Sequence, residues 1–295
     1  MSNYILSCCS TSDLSQEHFA KIGVNYICFH FNIDGKDYPD DLGVSYPFEK
    51  FYDDMEKGAM TKTSQVSVGE YINYFTPFLE KGNDILHVSL SSGLSGSVQS
   101  AHIAADMLRE KFPERKIFIV DSLGASSGYG LIMDKLAELK NEGMNIEDLR
   151  MYAEENKLNL HHWFFSTDLK YYVRGGRVSK VSGFVGNLLH ICPLLNMDSL
   201  GHLIPRAKVR TVKAVQRELV ERMVRYADGG EEYSEKVFIS HSNCLDYAQA
   251  VAAMVEEKFP KMKGKVEIFS IGTTIGSHTG PGTVALFFWG NKRSN

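Results

Sequence analysis

The chain of 295 residues has few cysteines and no long hydrophobic run, and each shortage excludes a class of protein. Its five cysteines are scattered and include no C-x-x-C pair, which is typical of reduced thiols and not of a disulfide framework or a zinc site. No window approaches 18 uninterrupted apolar residues, so we expect no stable membrane insertion. The first ten residues, MSNYILSCCS, lack the charged and apolar regions of a signal peptide, which favours a cytoplasmic location.

Positive charge is not in excess either, because 36 acidic residues outnumber 32 lysines and arginines and give a formal net charge of −4. Proteins that bind the phosphate backbone of nucleic acids need a basic surface. We therefore expect no nucleic-acid partner, although a local basic patch is compatible with this composition. The hydrophobic share of 43% and the charged share of 23% are those of a globular protein with a substantial core.

Several enzyme motifs are also absent. The segment GLSGS at 93–97 has Ser97 where the G-x-S-x-G elbow of serine hydrolases needs its last glycine. The sequence contains no G-x-x-x-x-G-K-[ST] loop and no H-E-x-x-H pair, which argues against a standard nucleotide loop and a common zinc motif. His161 and His162 are adjacent on a predicted strand and point to opposite faces, so they make a poor metal pair. We expect neither a metal nor a cofactor.

What the sequence does contain is an alternation of apolar strands with amphipathic helices. This alternation predicts right-handed βαβ units, a mostly parallel sheet and therefore an α/β protein. A helix at Ile146–Asn156 is interpreted as a bridge between two domains. We predict a three-layer N-terminal domain at 1–157 with a mostly parallel sheet, and a C-terminal α/β domain at 158–295 with a mixed sheet. In parallel sheets ligands bind outside the carboxyl ends of the strands.

The stretch from Asp84 to Ser97, DILHVSLSSGLSGS, predicts a buried strand, a hydroxyl-rich turn and the start of a helix. The free N–H groups and positive dipole end of such a helix favour an anion. The alternative is an ordinary loop whose serines only cap the helix. Further hydroxyl-rich turns are predicted near Ser10, at 61–65 and near Ser122, and their convergence on one edge of the sheet favours a ligand site.

A histidine and two arginines lie in glycine-rich turns. His278 is followed by GPG at 280–282, and Arg174 and Arg177 flank a Gly-Gly pair. Each has a plain alternative, since such a histidine is often a cap and such arginines are often solvated. His87 and His190 lie in apolar runs, so we interpret them as core or surface histidines without a chemical role.

Seven motifs follow one another across nearly the whole chain: CSTSDL at 9–14, TSQVS at 63–67, SLSSGLSGSVQSA at 89–101, DSLGASSG at 121–128, GGRVS at 175–179, KVRTVKA at 208–214 and IGSHTGPG at 275–282. Together they resemble the motifs of the DegV family of bacterial fatty-acid-binding proteins. Two positions depart from the family pattern, because Cys9 stands where the family usually has aspartate and Val66 where it usually has proline.

The resemblance implies a two-domain fold that holds one long-chain fatty acid between its domains and has no enzymatic activity of its own. The carboxylate-binding residues that it implies are Thr63, Ser64, Ser92, Gly93 and His278. Some members of the family are carrier subunits of a bacterial fatty acid kinase, which implies a possible ATP-dependent kinase subunit as partner. The residues that would shape the entrance or dock the kinase are Arg177, Lys208 and Arg210.

An apolar segment at 184–195 is the predicted centre of a tunnel for the acyl tail. The tunnel residues that we predict are Phe184, Leu188, Ile191, Leu194, Phe269 and Ile275, with Ile271 beside them, and the alternative for each is an ordinary core position. Burial of the roughly 14 methylenes of a C16 tail, at about 0.8 kcal/mol each, would contribute about 11 kcal/mol. A buried carboxylate is costly unless several donors satisfy it, so the tail should supply affinity and the hydroxyls should fix the headgroup.

A second hypothesis is a hydrolase or phosphotransfer enzyme that acts on acyl substrates through Ser92 or Ser95 together with His278. The placement of serines and a histidine on glycine-rich turns supports it. Against it, the sequence shows no elbow motif, no clear orienting acid and no nucleotide loop.

Overall fold

The computed structural model describes residues 4–178 and 191–294, and the strands of this part form three sheets. The strands are β1 (Tyr4–Cys9), β2 (Asn25–Ile27), β3 (His30–Ile33), β4 (Lys36–Pro39), β5 (Thr61–Ser64), β6 (Asp84–Ser89), β7 (Ile117–Asp121), β8 (Leu160–Ser166), β9 (Cys192–Met197), β10 (Leu203–Val209), β11 (Val237–His241), β12 (Val266–Ser270) and β13 (Thr283–Trp289). The α-helices are α1 (Gln16–Ile22), α2 (Phe48–Glu56), α3 (Val68–Glu80), α4 (Ser97–Lys111), α5 (Ser126–Asn141), α6 (Ile146–Asn156), α7 (Lys170–Arg174), α8 (Val212–Tyr226), α9 (Leu245–Lys258) and α10 (Thr273–Thr279).

The two large sheets differ in strand direction. The four strands ordered β2-β1-β6-β7 are parallel throughout. In the six strands ordered β10-β9-β8-β13-β11-β12, the β11–β12 pair is parallel and the other described pairs are antiparallel. The predicted α/β fold with a parallel and a mixed sheet is therefore confirmed. The parallel sheet ends at Asp121 and the mixed sheet begins at Leu160, while the division at residue 157 stays a prediction.

The parallel sheet forms because its central strands are apolar runs covered by amphipathic helices. Strand β6 is buried along its whole length. Helix α3 begins after Ser67, whose hydroxyl forms a capping box with Glu70. Its buried residues Tyr71, Phe75 and Leu79 recur every four positions, which places them on one face toward the core.

Helix α5 joins the two large sheets. It packs against β8, β11 and β13 of the mixed sheet and against the turn that follows β1, where the Tyr129 hydroxyl donates to the Cys9 carbonyl at 2.9 Å. A methyl group at Gly128 would lie 2.4 Å from the His162 ring, and one at Gly130 would lie 2.7 Å from the Ser12 carbonyl oxygen. These two glycines therefore allow the helix to approach both sides closely.

Alternate residues of the mixed sheet face two environments, as the two-residue period of a strand requires. Residues that pack in the core shared with α8 and α9 are Trp163, Phe165, Val284, Leu286 and Phe288. Residues between them that face the opposite way include His162, Phe164, Ala285 and Phe287. The strand register places Ala285 beside Phe164 and Phe287 beside His162, so these side chains form one continuous surface.

The third sheet, ordered β4-β3-β5, corrects one prediction. Residues 61–65 are predicted as a polar turn, but Thr61–Ser64 form β5, with Thr63 opposite Phe31 of β3. The prediction is wrong because the segment is polar throughout, which conceals the strand alternation of buried Thr61 with exposed Lys62. Helix α10 packs on β3 and β5 and so brings the segment before the GPG turn next to Thr63.

Candidate ligand-binding site

A cavity of about 650 Å³ lies between the mixed sheet and the loops of the N-terminal part. Pockets for small ligands have volumes of about 300–1,000 Å³, so this one is of ordinary size for a ligand. Hydroxyl groups, a histidine and an arginine line one part of it, which we call the polar end. Aromatic and aliphatic side chains line most of the rest, which we call the apolar wall.

Strand β5 and helix α10 meet at the polar end. His278 Nε2 lies 2.7 Å from Thr63 Oγ1, and the two atoms are hydrogen-bonded. His278 belongs to the last turn of α10 and not to an open turn as predicted, and the helix ends at Gly280, whose φ is 67°. Because Ile275 lies three residues before His278, both face the cavity from one side of the helix.

The loop after β6 forms the other side of the polar end. The Ser91 hydroxyl donates to the Gly201 carbonyl at 2.9 Å and accepts from the Gly93 N–H at 3.1 Å. A methyl group at Gly93 would lie 2.6 Å from the Gly201 carbonyl oxygen, so glycine permits this approach to the β9–β10 turn. The Ser92 N–H donates to Asp121 Oδ1 at 3.2 Å, which leaves the exposed Ser92 side chain on the cavity lining.

All five predicted carboxylate-binding residues line this cavity. Thr63 and Ser64 come from the end of β5, Ser92 and Gly93 from the loop after β6, and His278 from α10. The structure thus brings together residues separated by up to about 215 positions, as the Thr63–His278 contact shows. Their role in binding stays a prediction.

The electrostatic environment of the polar end is positive. Burial is the main reason why the pKa of His278 falls to about 4, and the charges of Arg177 and Arg174 lower it further. His278 is therefore neutral at pH 7, and the two positive charges favour an anion at this end. Arg177 lines the cavity, with its Nε donating to the Leu94 carbonyl at 3.3 Å and its Nη1 to the Gly175 carbonyl.

The apolar wall is formed mainly by residues that sequence reasoning missed. The missed contributors are Phe29, Leu90, Phe164, Tyr172, Ala285 and Phe287, whereas Ile271, which also lines this wall, is one of the predicted tunnel residues. Those on β8 and β13 read as ordinary buried strands, because an apolar residue that faces a cavity looks the same in sequence as one that faces a core. One sequence signal of a strand face that borders a cavity is a small or polar residue at every second position. On β13 these residues are Thr283 and Ala285, which alternate with larger core residues.

The structure does not place the predicted tunnel residues at one site. Ile275 lines the cavity, whereas half-buried Ile191 precedes β9 and Leu194 packs in the core of the mixed sheet. Phe269 packs edge-on against the imidazole of His18 and belongs to the N-terminal core. In the described part of the chain, Leu194 and Phe269 are therefore core residues and not tunnel residues. Phe184 and Leu188 lie outside the described residues, as does His190.

Two further sets of predicted residues lie away from the lining. Lys208 on β10 and Arg210 just after it are exposed and do not border the cavity within the described residues. The Ser10 hydroxyl donates to Asp40 Oδ2 at 3.3 Å, and that of Ser122 donates to the Gly124 carbonyl at 3.2 Å. Of the hydroxyl-rich turns predicted to converge, those at Ser10 and Ser122 are therefore structural.

Two other histidines, His87 and His162, have structural surroundings. The ring of His87 is buried between the parallel sheet and α3, where burial lowers its pKa to about 3, so its interpretation as a core histidine is confirmed. His162 borders the cavity, but its Nε2 accepts from the Ala125 N–H at 3.3 Å, which leaves Nδ1–H to donate to the Leu160 carbonyl at 3.2 Å. Both nitrogens of His162 are thus occupied within the protein.

The arrangement at the polar end does not match a nucleophilic centre. His278 is hydrogen-bonded to Thr63 and not to Ser92 or Ser95, and its Nδ1 has no hydrogen-bond partner among the described residues. A catalytic triad needs an acid at that nitrogen to orient the ring. Residues 4–178 and 191–294 also contain no cluster of three potential metal ligands, and no helix there is long and apolar enough to cross a bilayer.

The fold and the cavity define a class: an α/β protein with a ligand-sized cavity, which has a polar end and an apolar wall, between its mixed sheet and the loops of its N-terminal part. Comparison with known proteins gives the family. A family model described as "uncharacterised protein, DegV family" matches residues 9–291. The chain is 34% identical over 297 residues to a DegV domain-containing protein of Clostridium perfringens, with 99% of each chain covered. This chain belongs to the DegV family.

Solved structures agree with this assignment. A fatty-acid-binding DegV family protein from Thermus thermophilus is 27% identical and superimposes with a TM-score of 0.86, covering 98% of this chain and 99% of its own. DegV of Bacillus subtilis, a fatty acid binding protein, is 25% identical with a TM-score of 0.83, covering 99% of this chain and all of its own.

Proposed function

We propose that this protein binds one long-chain fatty acid, with the carboxylate at the polar end and the tail along the apolar wall. The observation that carries the proposal is the cavity itself, which joins hydroxyls, a neutral histidine and a nearby arginine to a mainly apolar lining in one space of about 650 Å³. The fatty-acid-binding relatives with the same fold support it.

The polar end supplies the donors that a carboxylate needs. The hydroxyls of Ser64 and Ser92 and the Thr63–His278 pair face the same space. The charges of Arg177 and Arg174 offset part of the cost of burying an anion. On this model the serines hold the headgroup and do not attack it.

The tail would lie against β8, β13 and α10, where Phe164, Phe287 and Ile275 line the cavity. Its burial at about 0.8 kcal/mol per methylene provides most of the affinity, even after the cost of association. This mode of binding requires no chemical step by the protein, so we propose a carrier and not an enzyme.

The finer part of the proposal is a partner. A carrier that exposes a carboxylate at one end of its cavity suits presentation to an ATP-dependent fatty acid kinase that forms an acyl-phosphate. Arg177 borders the cavity, and Lys208 and Arg210 lie on an exposed strand end, so these three are our candidates for the entrance and the docking surface.

The direct test is to identify what copurifies with the protein. Denaturation followed by mass spectrometry should release a long-chain fatty acid, and delipidated protein should take up palmitate or oleate. Protein that is repeatedly empty and takes up neither acid would overturn the proposal. For the partner, Arg177→Ala should reduce kinase-dependent phosphorylation more than lipid binding, with Lys62→Ala, an exposed lysine of β5, as control. Equal losses in both assays would contradict the division of roles.

The hydrolase or phosphotransfer hypothesis has no support from the geometry, since His278 is paired with Thr63 and lacks an orienting acid. Turnover of acyl esters or acyl-phosphates by the purified protein alone, abolished in His278→Ala, would revive it.

A further inference from the structure

Two buried aspartates behind the cavity face the start of α10, the helix that carries His278. Asp13 follows the turn after β1 and Asp40 follows β4. The two residues are only 3% and 1% exposed. A methyl group at Gly272, the residue before α10, would lie 2.7 Å from Asp13 Oδ1 and 3.3 Å from Asp40 Oδ1. The two carboxyl groups are therefore close neighbours, and glycine at 272 makes room for both.

Asp40 is bonded directly to α10. The Thr273 hydroxyl donates to Asp40 Oδ1 at 2.8 Å, and the Thr274 N–H donates to Asp40 Oδ2 at 3.3 Å. Asp13 accepts from the hydroxyl of Ser126, at the start of α5. Because Ser126 and Thr274 both border the cavity, the two carboxyl groups tie two walls of the cavity to the N-terminal part of the chain.

Among the residues that the structure describes, those around the pair offer no positive charge to balance two carboxylates. The titratable groups that face it are Tyr52 on α2, Tyr129 on α5, Tyr26 on β2 and Cys28 after β2. The pKa of each of these four groups is raised, so all are neutral at pH 7, and Asp41 next in the chain adds negative charge.

Burial is the largest influence on both carboxyl groups and raises the pKa of each, and the charge of Asp40 raises that of Asp13 further. Two neighbouring carboxylates in a buried site cannot both ionise readily, so the pair keeps a proton well above the usual range of aspartate. Such a pair titrates as a unit, and the proton belongs to the pair and not to one residue.

We propose that Asp13 and Asp40 are positioning residues for the ligand cavity: while they keep one proton between them, they hold α10 where His278 and Ile275 face the ligand. Loss of that proton places two like charges beside Gly272 and weakens the attachment of α10. Fatty-acid affinity therefore falls as the pH rises and the pair loses this proton. The ligand part of this inference rests on the proposed function, whereas the acid pair itself does not.

The sign of the pH effect follows from the raised pKa values. An acid that is protonated more readily in the folded chain than in the unfolded chain stabilises the fold in acid, and this contribution is lost as pH rises through the folded pKa. His18 also loses stabilising charge in this range: burial lowers its pKa, but the hydrogen bonds that its ring donates to the carboxylates of Asp134 and Glu267 outweigh burial and raise the pKa to about 9. A comparison of variants at each pH separates the two.

The first test uses ligand-free protein. The melting temperature is measured at pH 6 and pH 9 for the wild type, for Asp13→Asn and for Asp84→Asn, a buried aspartate at the start of β6 that accepts from the Lys116 N–H and serves as control. We expect the melting temperature to fall more between pH 6 and pH 9 in the wild type and in Asp84→Asn than in Asp13→Asn. The infrared carbonyl band of a protonated carboxylic acid should be present in the wild type at pH 7 and weakened in Asp13→Asn. Equal pH slopes in all three proteins, with no such band, would overturn the pair.

The second test measures palmitate affinity at the same two pH values. For each protein, the palmitate affinity at pH 9 is divided by its affinity at pH 6. We expect this ratio to be about tenfold lower for the wild type than for Asp13→Asn, since one hydrogen-bonded contact is worth about that factor. Asp40→Ala, which removes the acceptor for Thr273, should bind weakly at both pH values. A pH-dependent melting difference without any affinity difference would overturn the positioning role. If no protein binds palmitate at either pH, the proposed function fails, while the first test still decides whether the pair exists.

Discussion

Two clusters of hydroxyl and imidazole groups each include a serine from the segment after β6, Ser92 in one and Ser97 in the other, and they differ in whether their groups are already paired. The closed cluster consists of Ser7, Cys9, Tyr71, Tyr74, His87 and Ser97, and the open cluster of Thr63, Ser64, Ser92 and His278. In the closed cluster, His87 Nδ1 is hydrogen-bonded to the Ser7 hydroxyl at 3.0 Å, and the Tyr71 hydroxyl to that of Ser97 at 2.8 Å. In the open cluster, Ser64 and Ser92 are exposed and line the cavity, whereas His278 Nδ1, which has no hydrogen-bond partner among the described residues, is buried against Gly175.

The comparison teaches that residue type does not distinguish a structural polar group from one that meets a ligand. Both clusters contain a neutral histidine, fully buried for His87 and partly buried for His278, with the pKa of His87 lowered to about 3 and that of His278 to about 4. For His87 the cause is burial alone, whereas Arg177 and Arg174 add to it at His278. Completed hydrogen bonds mark the first as structure, and the unpaired groups with nearby positive charge mark the second as a site.

The largest expected effect is that of His87→Ala on stability. It removes a buried ring that packs against Tyr71 and Phe75 and leaves the Ser7 hydroxyl without its imidazole partner. A cavity and a lost hydrogen bond together cost about 3 kcal/mol. Urea denaturation should show this loss, with palmitate affinity unchanged at temperatures where the variant is folded. Unchanged stability would mean that the closed cluster is not structural.

The two histidines should also make the fold sensitive to acid. Both stay neutral in the folded chain, whereas an unfolded histidine has a pKa of about 6.5, so stability is present above that pH and is lost as pH falls toward 4. At pH 5 each histidine should account for about 2 kcal/mol of the loss. Melting curves at pH 7 and pH 5 should therefore show smaller losses for His87→Gln and His278→Gln than for the wild type.

A bound carboxylate should separate the two contributions. A nearby negative charge raises the pKa of His278, so saturation with palmitate should remove the difference in acid sensitivity between His278→Gln and the wild type. The difference between His87→Gln and the wild type should persist, because the closed cluster does not meet the cavity. Loss of both differences on adding palmitate would contradict the distinction between the clusters.

The sequence predicts the elements of the fold well, since the alternation of apolar strands and amphipathic helices is strong and local. It predicts the polar end too, because its residues lie in short motifs rich in hydroxyls and glycine. It does not predict β5, whose polar residues conceal a strand that exists only because β3 lies beside it. A strand defined by its partner is not visible in a local pattern.

The tail site is the part that the sequence misses. Leu194 and Phe164 are both buried residues of neighbouring strands in the mixed sheet, yet Leu194 faces the core with α8 and α9 and Phe164 faces the cavity. Which face of a buried strand meets empty space depends on how α5 and α10 pack over the sheet. That packing depends on residues distant in sequence, such as Gly128. Composition alone therefore predicts the tail site in the most apolar segment and misses the apolar wall.

In the open cluster, His278→Ala should weaken palmitate binding by about tenfold, because the Thr63 hydroxyl loses the hydrogen bond that orients it in the cavity lining. Its effect on stability should stay within about 1 kcal/mol, because the side chain has one hydrogen-bond partner, Thr63, in the described residues. Calorimetric titration and urea denaturation of the same preparation check both expectations. A loss of stability as large as that of His87→Ala would place His278 in the structural class.

The smallest effects come from two serines five positions apart, and they test the comparison most sharply. Ser97→Ala removes the partner of the Tyr71 hydroxyl and should cost about 1 kcal/mol of stability while leaving palmitate affinity unchanged. Ser92→Ala should do the opposite and weaken palmitate binding severalfold without changing the melting temperature, since its hydroxyl faces the cavity. If the two substitutions had the same effect in either assay, the loop would not separate two clusters. A clean exchange of phenotypes would show that one loop supports the core with one hydroxyl and the ligand with another.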